Sequence, residues 1–405
     1  MRRNTSIFLT LLALIIAGRA DLLDQVNDAL SIRDPKNSFQ LQLSGLLDVE
    51  GYFIDQRPPG LINSDDKFLF NPRLSIFVDA QWTPHFYFFA QTRVDRGFDP
   101  SDRGAQIRLD EYLLRYTPLD NTAMNLQIGK FATVTGNFVL RHDSWKNPFI
   151  NAPLPYENIT TISDTEAPSS RRDFASRRFE TDEQYERLPL IWGPNYTTGA
   201  AVLGTIEKFD YAFEIKNAAI SSRPESWQPS ETGWSNPHFA GRIGFRPNES
   251  WNFGVSGSVG PYMTPDARDT LPRGKNIDNY NQYVLEQDAS FAWRHLQVWA
   301  EVFEARFEVP TVGDADTLSY YLEAKYKLTP QLFAATRWNQ QFYSDVPAGG
   351  GREQPWGNDI WRVDAALGYR FTNYLQAKIQ YSFSHQDAPL QQGEQLIAGQ
   401  LTIKF

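Results

Sequence analysis

The chain of 405 residues carries 39 lysines and arginines against 48 aspartates and glutamates, a formal net charge of −9, and no cysteine. The lack of cysteine excludes a disulfide scaffold, a thiolate nucleophile and thiolate metal sites. The acidic balance excludes the basic surface that nucleic-acid binding requires, so we expect no nucleic acid among its partners. Aromatic residues still make up 14% of this polar chain, and their abundance needs an explanation.

Residues 1–20 predict a secretory signal peptide. Two arginines precede an apolar run at 7–18, which is about half as long as the ~20 residues of a membrane-spanning helix. Gly18 and Ala20 are the small residues of a cleavage site, so we expect cleavage before Asp21. Cleavage there removes three arginines and takes the formal charge from −9 to −12. The mature protein is expected to be exported.

Residues 21–37 are interpreted as a short periplasmic segment that leads into the main fold. The apolar side chains of Leu22, Leu23, Val26 and Leu30 fall on one face of a helix. The spacing therefore predicts a short helix over 21–30.

From residue 38 onward, apolar and polar residues alternate, which is the pattern of a half-buried strand. The C-terminal run shows the alternation most clearly, with Leu401, Ile403 and Phe405 on one face and polar residues on the other. The pattern predicts about sixteen strands, at 38–54, 69–82, 86–96, 105–116, 122–131, 196–206, 209–219, 237–247, 251–260, 280–293, 295–307, 317–327, 331–343, 358–371, 374–384 and 395–405.

Two of these runs contain competing phases. In the run at 105–116, Ile107 and Leu109 fall on one face, whereas Tyr112, Leu114 and Tyr116 fall on the other. The run at 295–307 changes phase near Glu304. The sequence leaves open which side chains of these two strands face inward.

The connections between the strands alternate strictly between short and long. The short ones are at 83–85, 117–121, 207–208, 248–250, 294–295, 328–330 and 372–373. The long, polar ones are at 55–68, 97–104, 132–195, 220–236, 261–279, 308–316, 344–357 and 385–394. This alternation places every tight turn at one end of an up-and-down sheet. It predicts an all-β fold, a transmembrane antiparallel β-barrel over 38–405.

Aromatic residues stand at strand ends beside the short turns, where amphipathic rings suit a membrane interface. They are Trp82, Tyr116, Trp251, Trp293, Tyr326 and Tyr369. The alternative is an exported soluble β-sandwich or propeller, in which aromatic residues would form a core. A soluble fold does not require turns sorted by length, and that favours the barrel.

The last strand, Gln400 to Phe405, resembles the terminal strand that bacterial outer-membrane barrels present to their assembly machinery. The whole mature chain is similar in architecture to the Gram-negative outer-membrane porins. Residues 126–131, Leu-Gln-Ile-Gly-Lys-Phe, are loosely similar to the segment before the third loop of phosphate-selective porins. The resemblance implies a homotrimeric, water-filled channel narrowed by an infolded loop. It also implies contact with outer-membrane lipid and lipopolysaccharide, and small hydrophilic solutes as cargo.

The long connection at 132–195 is the candidate constriction, because connections of this length are usually functional or disordered. We expect it to fold into the barrel, where its arginines would face carboxylates and create a transverse field. The alternative is an exposed loop with solvated charges. The positions that the alternation turns inward carry both basic and acidic residues, with a slight basic excess. They predict a lumen of mixed charge. The candidate pore residues are Arg141, Arg171, Arg172, Arg177 and Arg178 of the loop, and Arg93, Arg242, Arg337, Arg362, Asp364, Glu323 and Lys378 of the strands.

Two further functions remain open from the sequence. A barrel with a plugging loop would export a polysaccharide or another polymer. An outer-membrane enzyme would need a held acid–base site, and His142 beside Ser144 is the only suggestive cluster. Catalysis, a cofactor and a metal are not expected. Tryptophans in the long connections would form either a sugar slide or loop packing: Trp192, Trp227, Trp234 and Trp356.

Overall fold

The computed structural model describes residues 25, 28–34, 38–55, 61, 67–95, 106–180, 187–228, 230, 233–234, 236–389 and 393–405. The signal peptide expected at 1–20 lies outside the described residues. Of the helix expected at 21–30, Gln25, Asp28 and Ala29 are helical, and residues 21–24, 26 and 27 lie outside the described part.

Strands dominate the structure. They are β1 Ser31–Arg33, β2 Phe39–Ile54, β3 Phe68–Trp82, β4 Phe86–Asp95, β5 Gln106–Tyr116, β6 Asn125–Phe131, β7 Thr197–Ile206, β8 Phe209–Lys216, β9 His238–Phe245, β10 Trp251–Pro261, β11 Asn281–Trp293, β12 Leu296–Val309, β13 Gly313–Lys327, β14 Leu332–Tyr343, β15 Asp345–Gly349, β16 Arg352–Pro355, β17 Ile360–Arg370, β18 Leu375–Gln386 and β19 Gly393–Lys404.

The described helices are short and lie in the long connections. The α-helix α1 spans Arg171–Ser176. The 3-10 helices span Val139–Arg141, Leu154–Tyr156, Arg177–Phe179, Pro224–Trp227, Pro265–Thr270 and Ile277–Asn279. None of the helices in the described ranges is long and apolar enough to cross a membrane.

Sixteen strands, β2–β14 and β17–β19, form a closed antiparallel barrel. Each pairs with its neighbour in the sequence of barrel strands, and β19 pairs with β2 to close the sheet. At this seam, Gly45 and Phe405 exchange backbone hydrogen bonds of 2.8 and 3.0 Å. The Phe405 ring lies over Gly45, where any side chain would overlap it. The sixteen strands expected from alternation are confirmed.

Two small additions to the barrel differ from the sequence-based expectations. Part of the segment at 21–37 joins the sheet, because β1 pairs with residues 40–42 of β2. The connection expected at 344–357 contains the hairpin β15–β16. Both additions are made of strands of three to five residues, which are too short to show an alternating pattern.

The outer face of the barrel is apolar. Phe68, Phe70 and Ile107 expose 72%, 62% and 80% of their surface. The six aromatic residues beside the short turns are all exposed, as an interfacial position requires. The inner face carries buried polar and charged side chains, among them Asp48, Glu323 and Arg337.

Toward the long-loop end, the connections pack into an apolar core inside the barrel. Trp192, Trp227 and Trp356 are almost completely buried in this core, and Tyr156 and Phe174 join them. Trp234 exposes 47% of its surface. Three of the four loop tryptophans therefore serve loop packing, which leaves no continuous aromatic slide among them.

Candidate functional site

The loop at 132–195 is bound to the inner wall along five neighbouring barrel strands, β12, β13, β14, β17 and β18. The first anchor is the buried carboxylate of Glu301 on β12. It accepts hydrogen bonds from the backbone N–H groups of Asn137 and Phe138 and from the Tyr156 hydroxyl, at 2.5, 2.8 and 2.8 Å. Charge-assisted bonds of this kind are the strong ones, so the start of the loop is fixed to the wall.

Arg141 provides the second anchor, on β13. Its guanidinium donates hydrogen bonds to Glu323 at 2.5 Å and to the Tyr321 hydroxyl at 3.1 Å, and it lies 4.5 Å from the centre of the Trp299 ring. The two predicted site residues of this contact are thus brought together. They meet as a buried pair between the loop and the wall.

Arg337 of β14 and Arg362 of β17 form the third anchor, and both bind Asp364. Arg337 also donates to the side-chain oxygen of Asn151 in the loop at 2.6 Å. Arg362 pairs with Glu157, which lies six residues after Asn151 in the loop. Burial raises the pKa of Glu157, and the neighbouring guanidinium of Arg362 opposes that shift.

Lys378 of β18 provides the fourth anchor. Its ammonium group donates to the carbonyl oxygens of Ser144, Asn147 and Phe149, at 2.9, 3.0 and 2.9 Å. These bonds hold residues 142–149, which form the loop tip, against the wall. Half of the predicted pore residues thus hold the loop in place: Arg141, Glu323, Arg337, Arg362, Asp364 and Lys378.

The remaining predicted residues lie apart from these anchors. Arg242 of β9 pairs with Asp210 at 2.6 Å and with Asp288 at 2.8 Å, both residues of nearby barrel strands. The four arginines on and after α1 lie in the part of the loop where Phe174 packs into the apolar core. Arg171 and Arg172 are exposed, while Arg177 is buried. The structure places none of these four arginines, Arg171, Arg172, Arg177 and Arg178, in the lining of the cavity between the loop and β2–β5.

A cavity of about 400 Å³ remains between residues 142–146 of the loop tip and the adjoining arc of the wall, which comprises β2, β3, β4, β5 and the end of β19. Arg93 is the one predicted pore residue that lines it. Among the described residues, the charged side chains of the lining are balanced, with four acidic and four basic residues. They are Asp48, Asp79, Glu111, Asp143, Arg73, Arg93, Lys146 and Lys404.

Ion pairs along the wall fix the cavity's arginines. Arg73 bridges Asp48 at 3.1 Å and Glu50 at 2.6 Å. Arg93 approaches Asp110 at 3.3 Å. Such pairing holds the guanidinium groups in place with their charges largely compensated.

The sequence reasoning missed Asp110 and Glu111 in β5 because the strand contains a bulge. Gln91 of β4 pairs with Glu111, and the next residue of β4 pairs with Leu109, which leaves Asp110 as the extra residue. A bulge moves every later side chain to the opposite face. The two competing phases in this run were the available signal.

His142 and Ser144 are not brought together as an acid–base pair. The His142 ring contacts the Val139 carbonyl through Nδ1 at 2.5 Å and the Tyr196 hydroxyl through Nε2 at 2.7 Å. The carbonyl can only accept, so Nδ1 carries the proton and Nε2 accepts from Tyr196. Burial lowers the pKa of His142 to about 4, so the ring is neutral near pH 7.

The loop should therefore lose stability in acid. In the unfolded chain, histidine titrates near its ordinary pKa of about 6.5, whereas in the folded protein it stays neutral down to about pH 4. The folded state is favoured above pH 6.5, and this contribution, on the order of 3 kcal/mol, is lost as the pH falls toward 4. Urea midpoints measured from pH 7 to pH 4 should fall more steeply than for His142→Gln. Parallel pH profiles would contradict this assignment.

Comparison with known proteins shows the fold. No protein-family model matches the sequence, and no curated protein does. The anion-selective porin of Comamonas acidovorans is 9% identical, with a TM-score of 0.58 over 91% of this chain and 100% of that one. The outer membrane channel DcaP of Acinetobacter baumannii is 10% identical, with a TM-score of 0.57 over 92% and 99%. OmpF of Salmonella typhi, solved with daunomycin, is 10% identical, with a TM-score of 0.56 over 92% and 100%.

These likenesses confirm the expected porin-like barrel architecture. The structure excludes the soluble sandwich and propeller, because the sixteen strands close on themselves in one sheet. The similarity of residues 126–131 to phosphate-selective porins is tested by none of these matches and stays a prediction.

Proposed function

We propose that the protein is an outer-membrane porin, a channel through which small hydrophilic solutes and ions diffuse passively. The observation that carries the proposal is the cavity of about 400 Å³, lined by charged side chains of both signs, inside a barrel whose outer face is apolar. An apolar outer face suits lipid, and a polar interior suits water. The neighbouring proteins named as porins and channels support the same function.

The loop narrows the channel on one side. Its anchors hold it along β12–β18, so the aqueous path runs past β2–β5, where wall arginines face the loop tip. Because acidic and basic side chains balance in this cavity, we expect weak selectivity between anions and cations. The arginines of α1 would act at the outer mouth, before the narrow region.

The proposal includes a homotrimer and contact with lipopolysaccharide. The large exposed side chains of Phe68, Phe70 and Ile107 support an apolar partner at the long-loop end of β3 and β5. Conductance steps in groups of three and crosslinking to a trimer would test the assembly. A single conductance level and a monomeric crosslinking pattern would contradict it.

Filling the cavity should block the channel. Ser75 of β3 is 3% exposed on the inner face and lines the cavity, so Ser75→Trp places an indole in the aqueous path. We expect single-channel conductance in planar bilayers to fall to less than half. The matched control is Ile76→Trp, which puts the same ring on the outer face of the same strand.

The result discriminates between the proposed functions. Conductance in the unmodified protein that is lost in Ser75→Trp and kept in Ile76→Trp supports a porin with this path. An unmodified protein that does not conduct would contradict the porin and favour a plugged export barrel. Equal conductance in both variants would place the aqueous path elsewhere.

A further inference from the structure

The cavity contains an apolar surface that a purely aqueous channel does not require. Phe77 of β3 and Phe89 of β4 lie on the inner face, line the cavity and stack with ring centres 6.2 Å apart at 22°. Phe89 also packs against a buried apolar cluster that contains Leu113 and Phe131. Aromatic rings at a lumen wall offer a flat apolar platform to a passing solute.

Residues 142–146 of the loop form the opposite side of the cavity. The cationic groups of Arg370 and Lys404 lie 5.0 and 5.8 Å from the centre of the Trp145 ring. The backbone of Ser144 is held by Lys378. The Ser144 side chain is 7% exposed, and its hydroxyl has no hydrogen-bond partner among the described residues. A buried hydroxyl without a partner is a group that a ligand can satisfy.

The charges of the cavity are mixed in sign. Among the described lining residues, acidic and basic side chains are equal in number, and both signs are present, as in Asp79 on β3 and Lys404 on β19. A solute with one charge would meet repulsion as well as attraction here. A solute with separate positive and negative groups can satisfy both. The cavity volume is at the lower end of the range of about 300–1,000 Å³ for small-molecule pockets, so it holds one small molecule.

We infer that this cavity is a binding station for small zwitterions that carry an aromatic ring, such as aromatic amino acids. The ring stacks on Phe77 and Phe89, and the two charged groups contact the mixed charges beside them. Trp145 and Ser144 close the station from the loop side. This inference rests on the proposed channel function and specifies its preferred cargo.

Four probes test the inference on the reconstituted full-length protein: phenylalanine, alanine, phenylacetate and phenethylamine. Binding is measured as the reduction in ion current with increasing probe concentration. Phenylalanine should reduce the current at concentrations at least several-fold below those of the other three. Alanine lacks the ring, and the other two lack one of the charges.

Substitutions of Phe77 test whether the aromatic pair binds the ring of the solute. Phe77→Ala should weaken the phenylalanine effect about three- to tenfold, because one stacking partner is lost. Phe77→Tyr keeps a ring and should retain the effect. Phe88→Ala, which removes a ring from the outer face of β4, is the matched control and should behave as the unmodified protein. The conductance without probe reports whether each variant has folded.

The outcomes separate the two proposals. A conducting protein for which phenylalanine and alanine are equivalent would overturn the station and leave the channel intact. Phenylalanine binding that is equal in Phe77→Ala and Phe88→Ala would also overturn it. A protein without conductance would contradict the channel and, with it, the station.

Discussion

Replacing Lys378 with methionine should release the loop tip from the wall into the aqueous path and lower the single-channel conductance. Lys378 is 4% exposed, and its ammonium group donates to three loop carbonyls, those of Ser144, Asn147 and Phe149. Methionine offers no donor, so the carbonyls of Asn147 and Phe149 would lose this donor, and that of Ser144 would keep only the 3.4 Å bond from Gln376. Each such group costs about 1–3 kcal/mol, which favours movement of the tip away from β18 and into the aqueous path. The change should appear as a smaller, noisier open-channel current.

Lys327→Met is the matched control for this prediction. Lys327 ends β13 on the same inner face, but its side chain is exposed and makes no hydrogen bond in the described part of the chain. Both variants lose one positive charge, so a change in ion attraction affects them alike. Limited proteolysis should cut the 142–149 segment faster in Lys378→Met alone. Equal conductance and equal cleavage in the two variants would show that Lys378 does not hold the loop.

The barrel was predictable because alternation over ten or more residues is a strong signal. The lengths of the connections then distinguished the short-turn end of the barrel from the long-loop end. The bulge at Asp110 explains why β5 resisted a single phase, since Ile107 and Leu109 are exposed before it and Leu114 and Tyr116 after it. A bulge leaves two short alternations in sequence, and neither is long enough to fix the strand alone.

The change of phase near Glu304 has a different cause. Phe303 and Phe307 face inward and are fully buried, whereas Glu304 and Arg306 face outward. Here β12 rises toward the long-loop end, where the packed connections line the interior with an apolar core. The rule that apolar residues face outward holds only where lipid lies outside and water inside. The sequence does not reveal where that condition ends.

The candidate site was predictable only in part. Strand parity correctly placed Arg337, Asp364 and Lys378 on the inner face. It could not show which inner charges would bind the loop, because Lys378 meets Ser144 across 234 positions of sequence. The arginine-rich part of the loop forms α1, in which Phe174 packs into the core and Arg171 and Arg172 face outward. Charge clusters in a sequence do not specify which side of a folded loop faces the channel.

The largest loss of stability should follow the replacement of Arg337 with methionine. Arg337 and Asp364 are both completely buried, and Arg337 Nε donates to the Asp364 carboxylate at 2.8 Å. The same guanidinium binds Asn151 of the loop and lies 4.3 Å from the centre of the Phe149 ring. Removing one partner of a buried ion pair costs about 3–5 kcal/mol, and here Asp364 would stay buried with Arg362 as its remaining cationic partner. Unfolding by guanidinium chloride in detergent micelles should show this loss.

Two further variants distinguish the buried pair from a general effect of losing an arginine. Arg306→Met breaks an outward-facing pair with Asp316 in which both side chains are about half exposed, and it should cost at most about 1 kcal/mol. Arg337→Lys keeps the charge but cannot reach Asp364 and Asn151 together, so its stability should lie between those of the unmodified protein and Arg337→Met. If Arg306→Met and Arg337→Met were equally destabilising, the Arg337 network would not be a principal link between loop and wall. If Arg337→Lys matched Arg337→Met, the geometry of the guanidinium rather than its charge would account for the whole loss.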